Sequence, residues 1–62
     1  MNNVEKIKEC GVKKMADGKV ELWETYPYYF IIKDDEIKAA FYIPGLITGR
    51  KVKEEIKRFK NR

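Results

Sequence analysis

The sequence predicts an α+β fold in which a small antiparallel sheet of three or four strands is packed on one face by two helices. Three observations predict it. The middle of the chain holds alternating or β-branched segments, short polar turns separate them, and apolar residues recur at helical spacing near both ends. The chain has 62 residues, a length typical of a single domain, and we take residues 1–62 as one unit.

A short N-terminal helix is expected over residues 3–10. Val4 and Ile7 lie one turn apart and give the segment a narrow apolar face. Asn3 is a candidate N-cap, and Gly11 is typical of the position that ends a helix.

The first hairpin is expected around the turn sequence Asp17-Gly18. Residues 19–25 alternate between apolar and polar side chains, which predicts a strand, and residues 12–15 are its expected partner. Pro27 interrupts the pattern because it lacks a backbone N–H.

The second hairpin, 28–33 with 37–43, is the strongest strand prediction in the chain because aromatic and β-branched residues dominate it. A two-residue loop at Asp34-Asp35 would pair Ile32 with Ile37, Phe30 with Ala39 and Tyr28 with Phe41. We therefore expect Tyr28, Phe30 and Phe41 to lie in the core.

A C-terminal helix is expected over about 49–60. Thr48 is a candidate N-cap, and Val52, Ile56 and Phe59 recur at the spacing of one helical face. Packing this helix and the N-terminal helix on one face of the sheet is the simplest way to bury both apolar stripes.

Composition argues against catalysis and metal binding. The chain has no histidine, the commonest metal ligand and general base, and Cys10 is its one cysteine. No set of residues has the spacing of a nucleophile, a base and an orienting group. We expect a protein that is not an enzyme and has no metal, cofactor or small-molecule substrate.

The same composition predicts a cytoplasmic protein with no membrane partner. One cysteine cannot form an internal disulfide, and small domains without disulfides are typical of the cell interior. Residues 1–6 do not resemble a signal peptide, and no apolar stretch has the length of a membrane span.

Charge is concentrated at the C-terminal end. Residues 43–62 carry seven Lys and Arg against two Glu, whereas residues 19–42 carry three Lys against five acidic residues. A basic helix of this kind is typical of nucleic-acid backbone binding, although a solvated helix face is the simpler explanation. The residues predicted to bind nucleic acid or another anion are Thr48, Gly49, Arg50, Lys51, Lys53, Lys57, Arg58 and Lys60.

The first turn of this helix suggests a phosphate contact. Arg50 and Lys51 stand where the helix dipole disfavours cations, and the free N–H groups there favour an anion. A bound phosphate would offset the misplaced charge. Screening by Glu54 and Glu55 is the alternative.

Aromatic residues are concentrated in the strands, where seven of the eight lie within residues 23–42. One sheet face cannot bury all of them, so a second face is expected to carry Trp23, Tyr29, Ile31 and Tyr42. Three interpretations are open for this face: cross-strand stabilisation, a surface for protein contact or self-association, and stacking of nucleic-acid bases.

Five acidic residues lie in the same strands and turns: Glu21, Glu24, Asp34, Asp35 and Glu36. They would repel phosphates, which favours protein contact over base stacking. The sequence thus predicts a nucleic-acid-binding module. The alternative is a protein-interaction module, either an inhibitor or adaptor of the kind that phage and mobile-element genes encode, or a homodimer.

Overall fold

A computed structural model describes residues 2–60 and confirms an α+β fold with an antiparallel four-stranded sheet and a helix at each end. The sheet order follows the chain, so every strand pairs with its neighbour in sequence. The elements are α1 (Asn3–Cys10), β1 (Val12–Asp17), β2 (Val20–Thr25), β3 (Tyr28–Lys33), β4 (Glu36–Tyr42) and α2 (Gly49–Lys60).

Two-residue turns join all the strands, and two of these turns require unusual backbone angles. Gly18 has φ of 63°, a left-handed angle that glycine adopts without steric cost. Asp34 and Asp35 have φ of 53° and 58°, as in the type I′ turns that match the twist of a hairpin. The predicted turns at these positions are confirmed.

The main core lies between α2 and one face of the sheet. Tyr29 and Ile31 of β3 are buried here against Val52 and Ile56 of α2. Val20 and Leu22 complete the buried cluster, and half-buried Met15, Ala39, Phe41, Ile43, Ile47 and Phe59 pack around it. Val52, Ile56 and Phe59 thus form the apolar helix face that the sequence predicts.

A smaller core lies on the opposite face, beneath α1. Val4 and Ile7 pack on Ile32, with Trp23 and Phe30 half-buried beside them. Adjacent residues of a strand point to opposite faces, so Ile31 faces α2 while Ile32 faces α1. The expectation of both helices on one face is therefore wrong, because β3 is apolar on both sides and needs cover on both.

A β-bulge changes the register that the sequence predicts for the second hairpin. Lys38 has no residue opposite it on β3, because Ile32 pairs with Ile37 while Ile31 pairs with Ala39. The extra residue moves Phe41 opposite Tyr29, on the face that α2 covers. The predicted pairs of Phe30 with Ala39 and Tyr28 with Phe41 are therefore wrong, and Tyr28 is 49% exposed instead of buried.

Both edge strands carry a lysine at a bulge. In β1, Lys14 lies between Lys13 and Met15 without a cross-strand partner in the register, as Lys38 does in β4. A bulge and a charged side chain both discourage further strands from pairing with an edge. The sheet edges are consequently poor surfaces for strand addition.

The helix ends are satisfied by nearby polar groups. Asn2, not the predicted Asn3, caps α1 by accepting a hydrogen bond from the Glu5 N–H at 2.8 Å. Thr48 caps α2 as predicted, accepting from the Lys51 N–H at 3.1 Å. At the other end of α2, Lys33 Nζ donates to the Phe59 carbonyl at 3.3 Å, where the helix dipole favours a cation.

Candidate functional site

The first two cations of α2 already have carboxylate partners. Arg50 Nε lies 3.7 Å from Glu54 Oε1, and Lys51 Nζ lies 3.2 Å from Glu55 Oε1. Both pairs have the i, i+4 spacing that brings helical side chains together. Glu54 and Glu55 therefore compensate the positive charge in the first turn of α2. This compensation weakens the reason for expecting a phosphate at Thr48 and Gly49.

Glu55 is a buried carboxylate on α2, with 2% of its surface exposed. Neither oxygen accepts a hydrogen bond from residues 2–60, and its charge is balanced by Lys51 and by Arg58, whose Nη1 is 3.7 Å from Oε2. A buried charge without compensation destabilises a protein. Lys51 and Arg58 therefore stabilise α2 by balancing the charge of Glu55.

A second group of cations lies on the flank of α2 that faces β1. Lys53, Lys57 and Lys60 line a groove of about 530 Å³ between α2 and β1. Lys60 Nζ is 3.0 Å from Asp17 Oδ2. Lys53 and Lys57 are exposed and form no ion pair with any residue in 2–60.

The rest of the groove is lined largely by apolar residues. Met15 and Ala16 come from β1 and Ile56 comes from α2, with Asp17 at the end where Lys60 reaches across. This site thus combines a row of lysines with an apolar lining and a single carboxylate.

The sequence identified the lysines of this groove but missed its other wall. Lys53, Lys57 and Lys60 recur at i, i+4 and i+7, which already places them on one side of a helix. The contribution of Met15 and Asp17 depends on α2 crossing the sheet beside β1. No feature of the sequence indicated that crossing.

The predicted aromatic surface is only partly formed. Tyr29 and Ile31 were expected on an exposed face, but 1% and 0% of their surfaces are exposed, because Val52 and Ile56 of α2 pack on that face. Trp23 is half-buried near α1, and its Nε1 donates to Glu21 Oε1 at 3.0 Å. Of the four predicted residues, Tyr42 alone is largely exposed, at 63%.

A different aromatic pair is exposed in its place. Tyr28 and Tyr42 are cross-strand partners whose ring centroids are 5.5 Å apart with an interplanar angle of 52°. Both lie on the sheet face that α1 packs on, but neither belongs to the buried cluster of Val4, Ile7 and Ile32. This pair, rather than the predicted four residues, is the exposed aromatic feature of the sheet.

In comparisons with protein-family models, curated proteins and solved structures, the chain matches none. Neither helix of the part that the structure describes is long and apolar enough to cross a membrane.

Proposed function

We propose that this protein binds nucleic acid through the phosphate backbone, using the flank of α2 that faces β1. The observation that carries the proposal is the pair Lys53 and Lys57, which are exposed, one turn apart and without a carboxylate partner in residues 2–60. A phosphate that binds here releases counterions and breaks no ion pair.

The ion pairs indicate which of the predicted contact residues are available to bind phosphate. Lys51 and Arg58 neutralise buried Glu55, so a phosphate would compete with an existing partner. Arg50 is paired with Glu54 at the surface, where such pairs are weak, and it remains a secondary contact. Lys53 and Lys57 are the primary contacts, with Lys60 at the end of the row.

The charge of the remaining chain supports an oriented contact. Residues 19–42, which form most of the sheet, carry a net charge of −2, whereas residues 43–62 carry +5. A polyanion is therefore attracted to the α2 side and repelled by the strands. We propose the cytoplasm as the site of action, because small domains with a single cysteine and no internal disulfide are typical of the cell interior.

The test is a salt titration of binding to short fluorescent oligonucleotides, measured by anisotropy. We expect the double variant Lys53→Gln/Lys57→Gln to bind about tenfold more weakly and to show a shallower salt dependence. Lys6→Gln/Lys19→Gln removes the same charge from other surfaces and is the matched control. Absence of binding at low salt, or equal losses in both variants, would refute the proposal.

The exposed tyrosine pair favours a second candidate function, self-association of two copies. Tyr28 and Tyr42 are 49% and 63% exposed, and tyrosine is a frequent anchor of protein interfaces. Sedimentation velocity across a range of concentrations tests it. A dimer that Tyr42→Gln dissociates would support this function, and a monomer at every concentration would contradict it.

A further inference from the structure

The groove between α2 and β1 is larger and more apolar than a phosphate contact requires. We infer that it takes single-stranded nucleic acid, with the phosphates on the lysine row and an unpaired base against the apolar lining. This inference rests on the proposed function and names the class of nucleic acid that the same site prefers.

The size of the groove is the first argument. Its volume of about 530 Å³ lies within the range of roughly 300–1,000 Å³ that is typical of sites for organic ligands. A duplex keeps its bases stacked inside and presents mainly phosphate and sugar to a protein that contacts its backbone. Such a backbone contact leaves an apolar concavity unfilled, whereas an unpaired base can enter it.

The arrangement of charge and apolar surface is the second argument. Lys53 and Lys57 are separated by about 6 Å along the helix axis, and Lys60 lies about 4.5 Å further on. The cations therefore follow one wall of the groove, while Met15 of β1 lies on the other. Sites for single strands commonly pair a basic track for the backbone with an apolar surface for the bases.

Asp17 makes the two ends of the groove different in charge. Its carboxylate holds Lys60 at 3.0 Å and repels phosphate at that end of the groove. The phosphates consequently lie nearer to Lys53 and Lys57. Removing this carboxylate would release Lys60 for phosphate, so Asp17→Asn is expected to tighten binding, which is the opposite of what most substitutions in a binding site do.

Asp17→Asn also preserves the fold. Asp17 is the last residue of β1 and pairs with Val20 beside the Gly18-Lys19 turn, and asparagine has nearly the same size and shape as aspartate. The matched control is Asp34→Asn, which removes a carboxylate from the turn between β3 and β4, beside Lys19 rather than the groove.

The experiment measures anisotropy with three labelled oligonucleotides: a single strand of mixed sequence, its duplex, and the same strand with abasic sites. We expect the single strand to bind about tenfold more tightly than the duplex and the abasic strand. We expect Asp17→Asn to tighten single-strand binding several-fold and to steepen its salt dependence, with Asp34→Asn closer to the unsubstituted protein.

The outcomes separate this inference from the proposed function. If the duplex and the abasic strand bind as tightly as the single strand, and Lys53→Gln/Lys57→Gln weakens all three, the inference is wrong while backbone binding stands. If Asp17→Asn leaves binding unchanged or weaker, the placement beside Asp17 is wrong. If no oligonucleotide binds at low salt, the proposed function and the inference both fail.

Discussion

Tyr29 donates a hydrogen bond from its phenol oxygen to Glu24 Oε2 across the β2–β3 pair, at 2.7 Å. Lys14 Nζ lies 3.2 Å from the other oxygen of the same carboxylate. The hydrogen bond to Glu24, reinforced by burial, raises the pKa of Tyr29 to about 12. The same bond, with Lys14, lowers the pKa of Glu24 against the opposing effect of burial. A tyrosine can thus fill the core while its polar end is satisfied.

This pair predicts a loss of stability at alkaline pH. Tyr29 has a higher pKa in the folded chain than the value of about 10 in an unfolded one. Its contribution is fully present below pH of about 10 and is lost as the pH rises toward about 12. The free energy of unfolding in urea, measured across this range, should fall less steeply in Tyr29→Phe than in the control Tyr42→Phe. Equal slopes would contradict the prediction.

The Glu24 carboxylate predicts the opposite behaviour at acid pH. Its pKa is lower in the folded chain, so its contribution is present above the unfolded value of about 4.3 and is lost as the pH falls through the depressed folded value. Glu24→Gln should therefore flatten the acid limb of the stability profile. Glu54→Gln, which removes a carboxylate from an exposed pair on α2, is the control, and the acid limb should be flatter in Glu24→Gln than in this control.

A side chain at position 11 would clash with backbone atoms, whereas a Cβ at the other described glycines would not. A Cβ atom here would lie 2.6 Å from the Ile7 carbonyl oxygen and 2.8 Å from that of Glu24, and neither backbone group can move alone. We expect Gly11→Ala to lower the free energy of unfolding by about 2 kcal/mol or more. Gly45→Ala, where a Cβ would meet open space, is the control. Similar urea midpoints for the two variants would refute the close approach.

The bulge at Lys38 predicts that deletions at two positions of β4 will have different effects. Deletion of Lys38 leaves Ala39 opposite Ile31 and Phe41 opposite Tyr29, whereas deletion of Ala40 would move Phe41 opposite Phe30, on the face away from α2. We expect deletion of Ala40 to cost about 3 kcal/mol or to prevent folding, and deletion of Lys38 to cost about 1 kcal/mol. Thermal unfolding followed by circular dichroism measures both. Equal melting temperatures for the two deletion variants would contradict this alignment of β4.

The same bulge explains where prediction from the sequence failed. Helix and strand positions followed from local signals, such as Thr48 as an N-cap and Asp34-Asp35 as a turn. The register of β4 did not, because β3 is apolar on both faces and either alignment places apolar residues opposite one another. The exposed aromatic surface was therefore assigned to Tyr29 and Ile31, which the structure buries.

For the candidate groove as well, the local spacing could be predicted from the sequence, whereas the contacts between elements could not. The spacing of Lys53 and Lys57 was sufficient to place both on one helix flank. Which of them lacks an ion pair depends on side chains from other elements, as the contact of Lys60 with Asp17 shows. The apolar lining from Met15 depends on how α2 crosses the sheet, and that geometry is decided by packing over long sequence separations.

Lys51 and Arg58 balance the buried carboxylate of Glu55. We therefore predict that both cations contribute mainly to the stability of the fold and little to nucleic-acid binding. Removing both Lys51 and Arg58 leaves a buried charge without compensation, a change that costs about 3–5 kcal/mol. We therefore expect Lys51→Gln/Arg58→Gln to lower the free energy of unfolding in urea by an amount of this order. Arg50→Gln/Glu54→Gln, which removes an exposed pair, should change it by less than about 1 kcal/mol.

A rescue variant identifies the cause of that loss. Adding Glu55→Met to Lys51→Gln/Arg58→Gln replaces the buried charge with an apolar side chain of similar size, and apolar replacements of buried ion pairs are often neutral or stabilising. The triple variant should recover most of the lost stability. Because it retains Lys53 and Lys57, it should also bind oligonucleotides more tightly than Lys53→Gln/Lys57→Gln. A triple variant as unstable as the double variant would show that Lys51 and Arg58 act through packing and not through the charge of Glu55.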